Sequence, residues 1–174
     1  MSSKTLQYQD ITLKAQLYNL LPVENRLKAM NARFAGIDVQ TDTYYRIDKG
    51  RLKWRQGNVE NLITHYERHE VDGIETTTVY RYDLDPSEED IADLRRDHDT
   101  IGEVHKTRHI YWVGNIKVHL DTLASGEQFV EIEAIDQGKK IAHPELMQQC
   151  KALQAKLGIS DEDLVPTGYF IEED

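Results

Sequence analysis

Apolar and polar residues alternate along much of this chain. In residues 5–17, Ile11, Leu13 and Ala15 interleave with Asp10, Thr12 and Lys14. A period of two predicts a strand with two unlike faces. The rhythm then changes. From Pro22, the apolar residues Val23, Leu27, Met30 and Phe34 recur at i, i+4, i+7 and i+11. That is one helical stripe with proline at its start. Gly36 lies just past it, where a C-terminal cap is expected. Strand-like segments follow at 37–48, 51–57, 61–70 and 75–84, separated by Lys49-Gly50, Gly57-Asn58 and Asp72-Gly73. Gaps that short connect only antiparallel neighbours. Asp85-Pro86-Ser87 opens a second helix, about 86–98, with acids in its first turn, where the helix dipole favours them. Strands resume at 102–113, 115–123 and 128–136, with Gly114-Asn115 as a hairpin turn. A last helix, about 143–157, carries Leu146, Cys150, Leu153 and Leu157 on one side and stops at Gly158. The tail is expected to return as a short strand through Tyr169, Phe170 and Ile171.

About eight strands in sequential hairpins and three helices predict a β-rich α+β fold. Its natural form is an eight-stranded antiparallel β-barrel, closed or nearly closed, since closure removes exposed edges. No linker or repeat interrupts residues 1–174, so they read as a single domain. Hydrophobic residues make up 39% and charged residues 30%, as in soluble globular proteins. The net charge of −10 argues against a general nucleic-acid binder, which needs a basic surface. No apolar run approaches the roughly 18–20 residues of a membrane span, and the start MSSKTLQYQD lacks a signal-peptide core. One cysteine, Cys150, excludes an internal disulfide and fits the cytoplasm. Its place on the helical stripe makes it a core residue. A homodimer is the default oligomer.

Charge sits on alternate strand positions. Lys53 and Arg55 flank Trp54, and Lys106 and Arg108 flank Thr107. Lys117, His119 and Asp121 alternate with Val118 and Leu120, and Glu131 and Glu133 flank Ile132. Tyr66 and Arg68 share one face of their strand, opposite His65, Glu67 and His69. Alternating charge usually marks the solvated side of an antiparallel sheet. Same-sign pairs, however, repel unless a counter-ion lies between them, and outer faces more often mix signs. The alternative is a polar lumen in which Lys and Arg neutralise phosphates and carboxylates hold Mg²⁺. Trp54 and Trp112 are expected to pack outward against helices, with base stacking as the lesser alternative. His65 and His69 lack further ligands for a zinc site, and the acidic run 85–99 reads as a solvated helix face.

Several segments together resemble the CYTH family, named for class IV adenylyl cyclase and thiamine triphosphatase. They are QTDTYYR and GRLKWR (40–46 and 50–55), LITHYER (62–68), VHKTRHIYWVGNIKVHLD (104–121), FVEIEA (129–134) and DLVPTGYF (163–170). The cyclase branch is nearest. The resemblance implies a tunnel that threads a triphosphate through a barrel, with Mg²⁺ or Mn²⁺ as cofactor. It places Lys14, Lys53, Arg55, Arg68, Lys106, Arg108 and Lys117 on phosphate-binding positions. It places Asp121, Glu131 and Glu133 on metal-binding positions, with Asp10 as a further candidate. It also implies catalytic roles for Lys14, Arg55 and His119, although a hydrogen-bonded structural histidine is an equal reading of His119. The family's N-terminal Glu-x-Glu-x-Lys signature is altered here to Asp10-Ile11-Thr12-Leu13-Lys14. Thr12 thus replaces a charged ligand with a hydroxyl.

Three functions follow as expectations. The first is a cyclase-like enzyme converting ATP to cyclic AMP and pyrophosphate. The second is a triphosphatase acting on tripolyphosphate, thiamine triphosphate or a nucleotide. The third is a catalytically weak or inactive triphosphate-binding module, which Thr12 favours. Each takes a nucleoside, inorganic or thiamine triphosphate as partner.

Overall fold

The computed structural model describes residues 9–71, 74–136 and 141–170. In chain order they form β1 (Gln9–Leu17), α1 (Leu21–Ala29), β2 (Arg33–Tyr45), β3 (Arg51–Gln56), β4 (Asn61–Val71) and β5 (Ile74–Leu84). Next come α2 (Glu88–Asp97), β6 (Thr100–Val113), β7 (Ile116–Leu123), β8 (Gln128–Ile135) and α3 (His143–Lys156). A 3₁₀ turn, Asp161–Asp163, leads into β9 (Leu164–Val165). The sheet runs β5-β4-β3-β2-β6-β7-β8-β1, and a β1–β5 pairing closes it into a ring of eight antiparallel strands. Closure uses Gln9–Thr12 of β1 against Glu75–Thr78 of β5. Beyond that stretch, Lys14 and Ala15 pair instead with Val165 and Leu164 of β9.

The apolar core lies outside the ring. Ile11, Leu13 and Ala15 of β1 join Val118, Leu120, Val130 and Ile132 in one buried cluster. Val23 and Leu27 of α1 and Leu146, Cys150 and Leu153 of α3 cover it. Each fully buried aliphatic side chain contributes on the order of 1.5–3 kcal/mol. Cys150 is a core residue, as expected, and burial pushes its thiol up to about 12. A smaller cluster on the opposite flank packs Trp54, Leu52 and Ile63 under Leu94 of α2. Ser87 caps α2 in a reciprocal box with Asp90. No helix among the described residues is long and apolar enough to cross a membrane.

Three local expectations are corrected. The helix stripe does not reach Phe34. The amides of Asn31 and Ala32 close back on the carbonyls of Lys28 and Leu27, and Asn31 adopts φ +60°. This left-handed asparagine ends α1, and Phe34 belongs to β2. Gly36 is therefore no helix cap. Its φ of +126° serves a bulge where β2 shifts register against β6. The tail strand forms earlier than expected, at Leu164–Val165. Pro166 follows and cannot donate to a ladder, so Tyr169 and Phe170 are irregular. Ile171 and the Asp72-Gly73 turn lie outside the described residues.

Candidate functional site

Alternation on the strands sends the apolar set outward and the charged set inward. The inside of the ring is a cavity of about 210 Å³. Asp10 and Thr12 of β1 line it, as do Lys53 and Arg55 of β3 and Arg68 of β4. Arg108, Lys117, His119, Glu131 and Glu133 complete the far wall. Lys14, Lys106 and Asp121 are buried just behind the lining. Trp54 faces outward as expected. Trp112 does not: it shares the inward face of β6 with Arg108, so it is half-buried and lines the cavity.

One basic cluster gathers on Asp42. Arg55 grips this carboxylate with Nε at 2.8 Å and Nη2 at 2.9 Å. Lys106 Nζ donates to it at 2.7 Å, and Lys53 Nζ lies 3.7 Å away. Burial alone would raise Asp42, but Arg55, Lys53 and Lys106 hold it well below the usual carboxylate range. The lysines lose by the same crowding. Burial, and then the Arg55 guanidinium, lower Lys53 to about 7 and Lys106 to about 7.

A second cluster gathers on Asp121. Arg108 reaches it with Nε at 2.7 Å and Nη2 at 2.8 Å, and reaches Glu131 at 3.2 Å. The Tyr169 hydroxyl donates to Asp121 at 2.6 Å. Burial, with Glu131 and Asp121 nearby, pushes that phenol far up, so it keeps its proton. Lys14 Nζ donates to the Gly168 carbonyl at 2.9 Å and sits 3.6 Å from the Tyr169 ring centre. The segment after β9 thus crosses one end of the ring.

A third group lies toward the other end. The buried Asp10 carboxyl is pushed well up, first by desolvation and then by the Glu133 carboxylate beside it. It also accepts from the Thr77 amide at 3.1 Å. Thr12 stands directly across from Glu133 in the β1–β8 ladder. Glu60, on the loop between β3 and β4, bonds Lys117 and accepts from Arg55 at 3.2 Å. Burial opposes ionisation of Glu60, but Lys117 and Arg55 outweigh it and lower the group to about 2. His119 is buried, and neither ring nitrogen has a hydrogen-bond partner among the described residues. Desolvation and then Arg108 hold its pKa well below the ordinary value. It is a neutral imidazole, not the hydrogen-bonded structural histidine of the alternative reading.

A polar lumen inside an apolar jacket is the arrangement of a known fold. A CYTH domain family model matches residues 11–169. The chain belongs to the CYTH family. Solved structures agree on the fold. The PH1012 protein of Pyrococcus horikoshii superposes with a TM-score of 0.74 at 24% identity, covering 92% of this chain and 96% of that one. A candidate adenylate cyclase from Vibrio parahaemolyticus gives 0.67 at 19%, covering 92% and 94%. A Hippeastrum protein, a candidate adenylyl cyclase described as having a dominant triphosphatase activity, gives 0.58 at 15%, covering 86% and 88%. No curated protein matches the chain.

For this CYTH chain, the acid wall bears on the expected metal. Asp121 gives both oxygens to Arg108, and Glu133 lies against the Asp10 carboxyl. Among the described residues, no three acidic, histidine or cysteine side chains converge to hold an ion by themselves. Glu131 and Glu133 are hard oxygen donors on one face of β8. They suit Mg²⁺ or Mn²⁺ in the mode that uses one or two carboxylates and completes the shell with phosphate and water.

The sequence pattern assigns no role to Asp42, Glu60 or Tyr169. Asp42 sits in period-two register with Gln40 and Tyr44, a signal that was present. Glu60 lies in a loop, and the β9 crossing sets Tyr169, so neither shows a local pattern.

Proposed function

We propose that this CYTH chain is a metal-dependent enzyme acting on a triphosphate held in the lumen. The observation that carries the reading is the placement of Lys53, Arg55, Arg68, Arg108 and Lys117 around one cavity inside an acidic protein. Arg55, Arg68 and Arg108 have pKa values raised above the usual guanidinium range, with neighbouring anions overcoming burial. They remain cations and hydrogen-bond donors at every working pH. Asp42 and Asp121 fix two of these guanidinium forks in advance, which is the preorganisation that electrostatic catalysis requires. Lys53 and Lys106, poised near neutrality, gain full charge when an anion enters. Lys14, which the family reading makes catalytic, is held by the Gly168 carbonyl at the lumen's end.

Glu131 and Glu133 would hold Mg²⁺ or Mn²⁺ together with phosphate oxygens, with Asp10 and Asp121 joining once released from their present partners. Such an ion neutralises charge on the phosphates and polarises the phosphorus under attack. His119, neutral and without a hydrogen-bond partner among the described residues, supplies a nitrogen that can accept a proton from the attacking hydroxyl or water.

The attacker decides the reaction. Attack by the ribose 3′-hydroxyl of ATP on the α-phosphorus forms cyclic AMP and releases pyrophosphate. The cyclase-branch segments favour this reaction. Attack by water on the terminal phosphorus gives hydrolysis, which the activity described for the Hippeastrum neighbour favours. Thr12 supports a third reading, binding with little turnover, because the wall beside Glu133 lacks a carboxylate there.

Product assays with ATP, tripolyphosphate and thiamine triphosphate, each in Mg²⁺ and in Mn²⁺, test the proposal. Cyclic AMP or released phosphate supports the enzyme. Tight binding with no product under every condition overturns the enzyme and leaves the binding module.

A further inference from the structure

One carboxylate in the lumen differs from the others that hold its cations. Asp42 faces Arg55 across the β2–β3 ladder, and Asp121 faces Arg108 across the β6–β7 ladder. Both acids are almost fully buried, so these pairs belong to the wall itself. Glu60 comes instead from the loop between β3 and β4, and its side chain is 15% exposed. It bonds Lys117 of β7 and accepts from Arg55 of β3 at 3.2 Å. In the ring, β3 and β7 are separated by β2 and β6. The carboxylate therefore bridges cations of non-adjacent strands within the cavity that all three residues line. The loop that delivers it is fixed. Asp38, buried on β2, accepts from the Val59 and Glu60 amides. The Asn58 side chain donates to the Ile37 carbonyl at 2.9 Å and accepts from the Val39 amide at 2.7 Å. Gly57 permits this approach, since a Cβ there would lie 2.3 Å from the Asp38 carboxylate. With its backbone held, Glu60 moves only through its own side-chain torsions.

We propose that Glu60 is a built-in place-holder: in the empty lumen its carboxylate occupies the position of one phosphate on Lys117 and Arg55, and a triphosphate binds by displacing it. The inference rests on the triphosphate reading above and adds a competitor that the chain itself supplies. A carboxylate and a phosphate offer a guanidinium and an ammonium the same kind of acceptor. The two cations that Glu60 bridges are therefore a phosphate site that is already filled. Glu60 cannot yield by taking a proton. Burial opposes its ionisation, but Lys117 and Arg55 lower it to about 2, so it stays charged at every working pH. Two anions in contact with one ammonium repel each other, so the side chain must swing aside when a phosphate arrives. The place-holder also serves the empty state. It compensates two cations that would otherwise stand in the lumen without an anion, which is costly for buried charge. A site that is open in only a fraction of the molecules loses apparent affinity by that fraction.

The test is calorimetric titration of tripolyphosphate, in Mg²⁺, into the wild type, Glu60→Gln and Glu60→Asp, with thermal midpoints recorded without ligand. Charge-assisted hydrogen bonds of the usual strength predict that Glu60→Gln binds about ten- to 100-fold more tightly. Its midpoint without ligand should fall, because Lys117 and Arg55 lose their compensating charge. The opposite signs are the signature, since a merely structural Glu60 would lower affinity and midpoint together. Glu60→Asp keeps the charge but draws it back by one methylene, so it should tighten binding by a smaller factor. It also carries the test if Glu60→Gln does not fold. Affinity unchanged or weaker in Glu60→Gln, or in Glu60→Asp if only that variant folds, overturns the place-holder and leaves the triphosphate site standing. If tripolyphosphate binds neither the wild type nor any variant, the triphosphate reading falls and the place-holder falls with it.

Discussion

Asp42 shows what a single residue does in this lumen. It is almost fully buried and carries Arg55, Lys106 and Lys53 on one carboxylate. Removing one partner of a buried ion pair costs about 3–5 kcal/mol, because the other charge is left uncompensated. Asp42→Asn is therefore expected to lower the unfolding free energy from urea titration by that amount, with a lower midpoint, and added tripolyphosphate should recover part of it. Little change in the midpoint would mean that the three cations do not depend on Asp42. At Thr12 the expected effect is on rate. Thr12→Glu restores the carboxylate of the family signature beside Glu133 and should raise turnover in Mn²⁺, read in the same product assays. Unchanged turnover would show that Thr12 does not limit the chemistry. The residue scale was also where the sequence spoke most clearly. Same-sign pairs at i and i+2 located Lys53/Arg55, Lys106/Arg108 and Glu131/Glu133 before any fold was known. Spacing could not locate Glu60, whose role depends on a loop fold anchored by Asp38, which accepts from the Val59 and Glu60 amides at 2.9 Å each.

At the scale of elements, β9 and the residues after it form a strap tied to the ring. Gly102 accommodates it, since a Cβ there would come within 2.2 Å of the Phe170 ring. Gly102→Ala should therefore displace Phe170 from Tyr44, speed amide exchange over 164–170 and leave the rest of the ring protected. Tyr169→Phe removes a hydrogen bond to an ionised carboxylate, a loss of about 1.5–3 kcal/mol, readable as a shift in thermal midpoint. Unchanged exchange in the first variant, or an unchanged midpoint in the second, would show that the strap is not held by these contacts. The hairpins and the caps of α2 were legible because turn chemistry is local. The end of α1 was not. Its apolar stripe continues into β2 by coincidence, and the Asn31 cap overrides it. The strap was misplaced for a similar reason, since pairing with β1 depends on where β5 leaves that strand's edge.

At the scale of the whole molecule, the barrel is turned inside out relative to an ordinary core. Its apolar residues face α1, α2 and α3, and its charges face each other. This follows from closure, because a closed ring has an inside that alternate residues must fill. Strand periodicity predicted two unlike faces but could not say which pointed inward. The arrangement has a measurable cost. Lys53 and Lys106 titrate near 7 in the folded chain and near 10.5 when unfolded. Between those values the unfolded chain binds more protons, so stability rises with pH, by up to about 1.4 kcal/mol per pH unit for each lysine. Below pH 7 the cost of burying both charges is fully present. Thermal midpoints should therefore climb from pH 7 to 9 without ligand, and the climb should flatten in saturating tripolyphosphate. An anion in the lumen raises both lysines, and binding at pH 8 must then draw protons from solution. The most direct measurement is calorimetric titration of tripolyphosphate with Mg²⁺ at pH 8, in two buffers of different ionisation enthalpy, on the wild type and Lys53→Met. The expected result is one ligand per chain with proton uptake, and a variant that binds more weakly and takes up about one proton fewer. No binding at millimolar ligand, or a variant identical to the wild type in affinity and proton count, would contradict it.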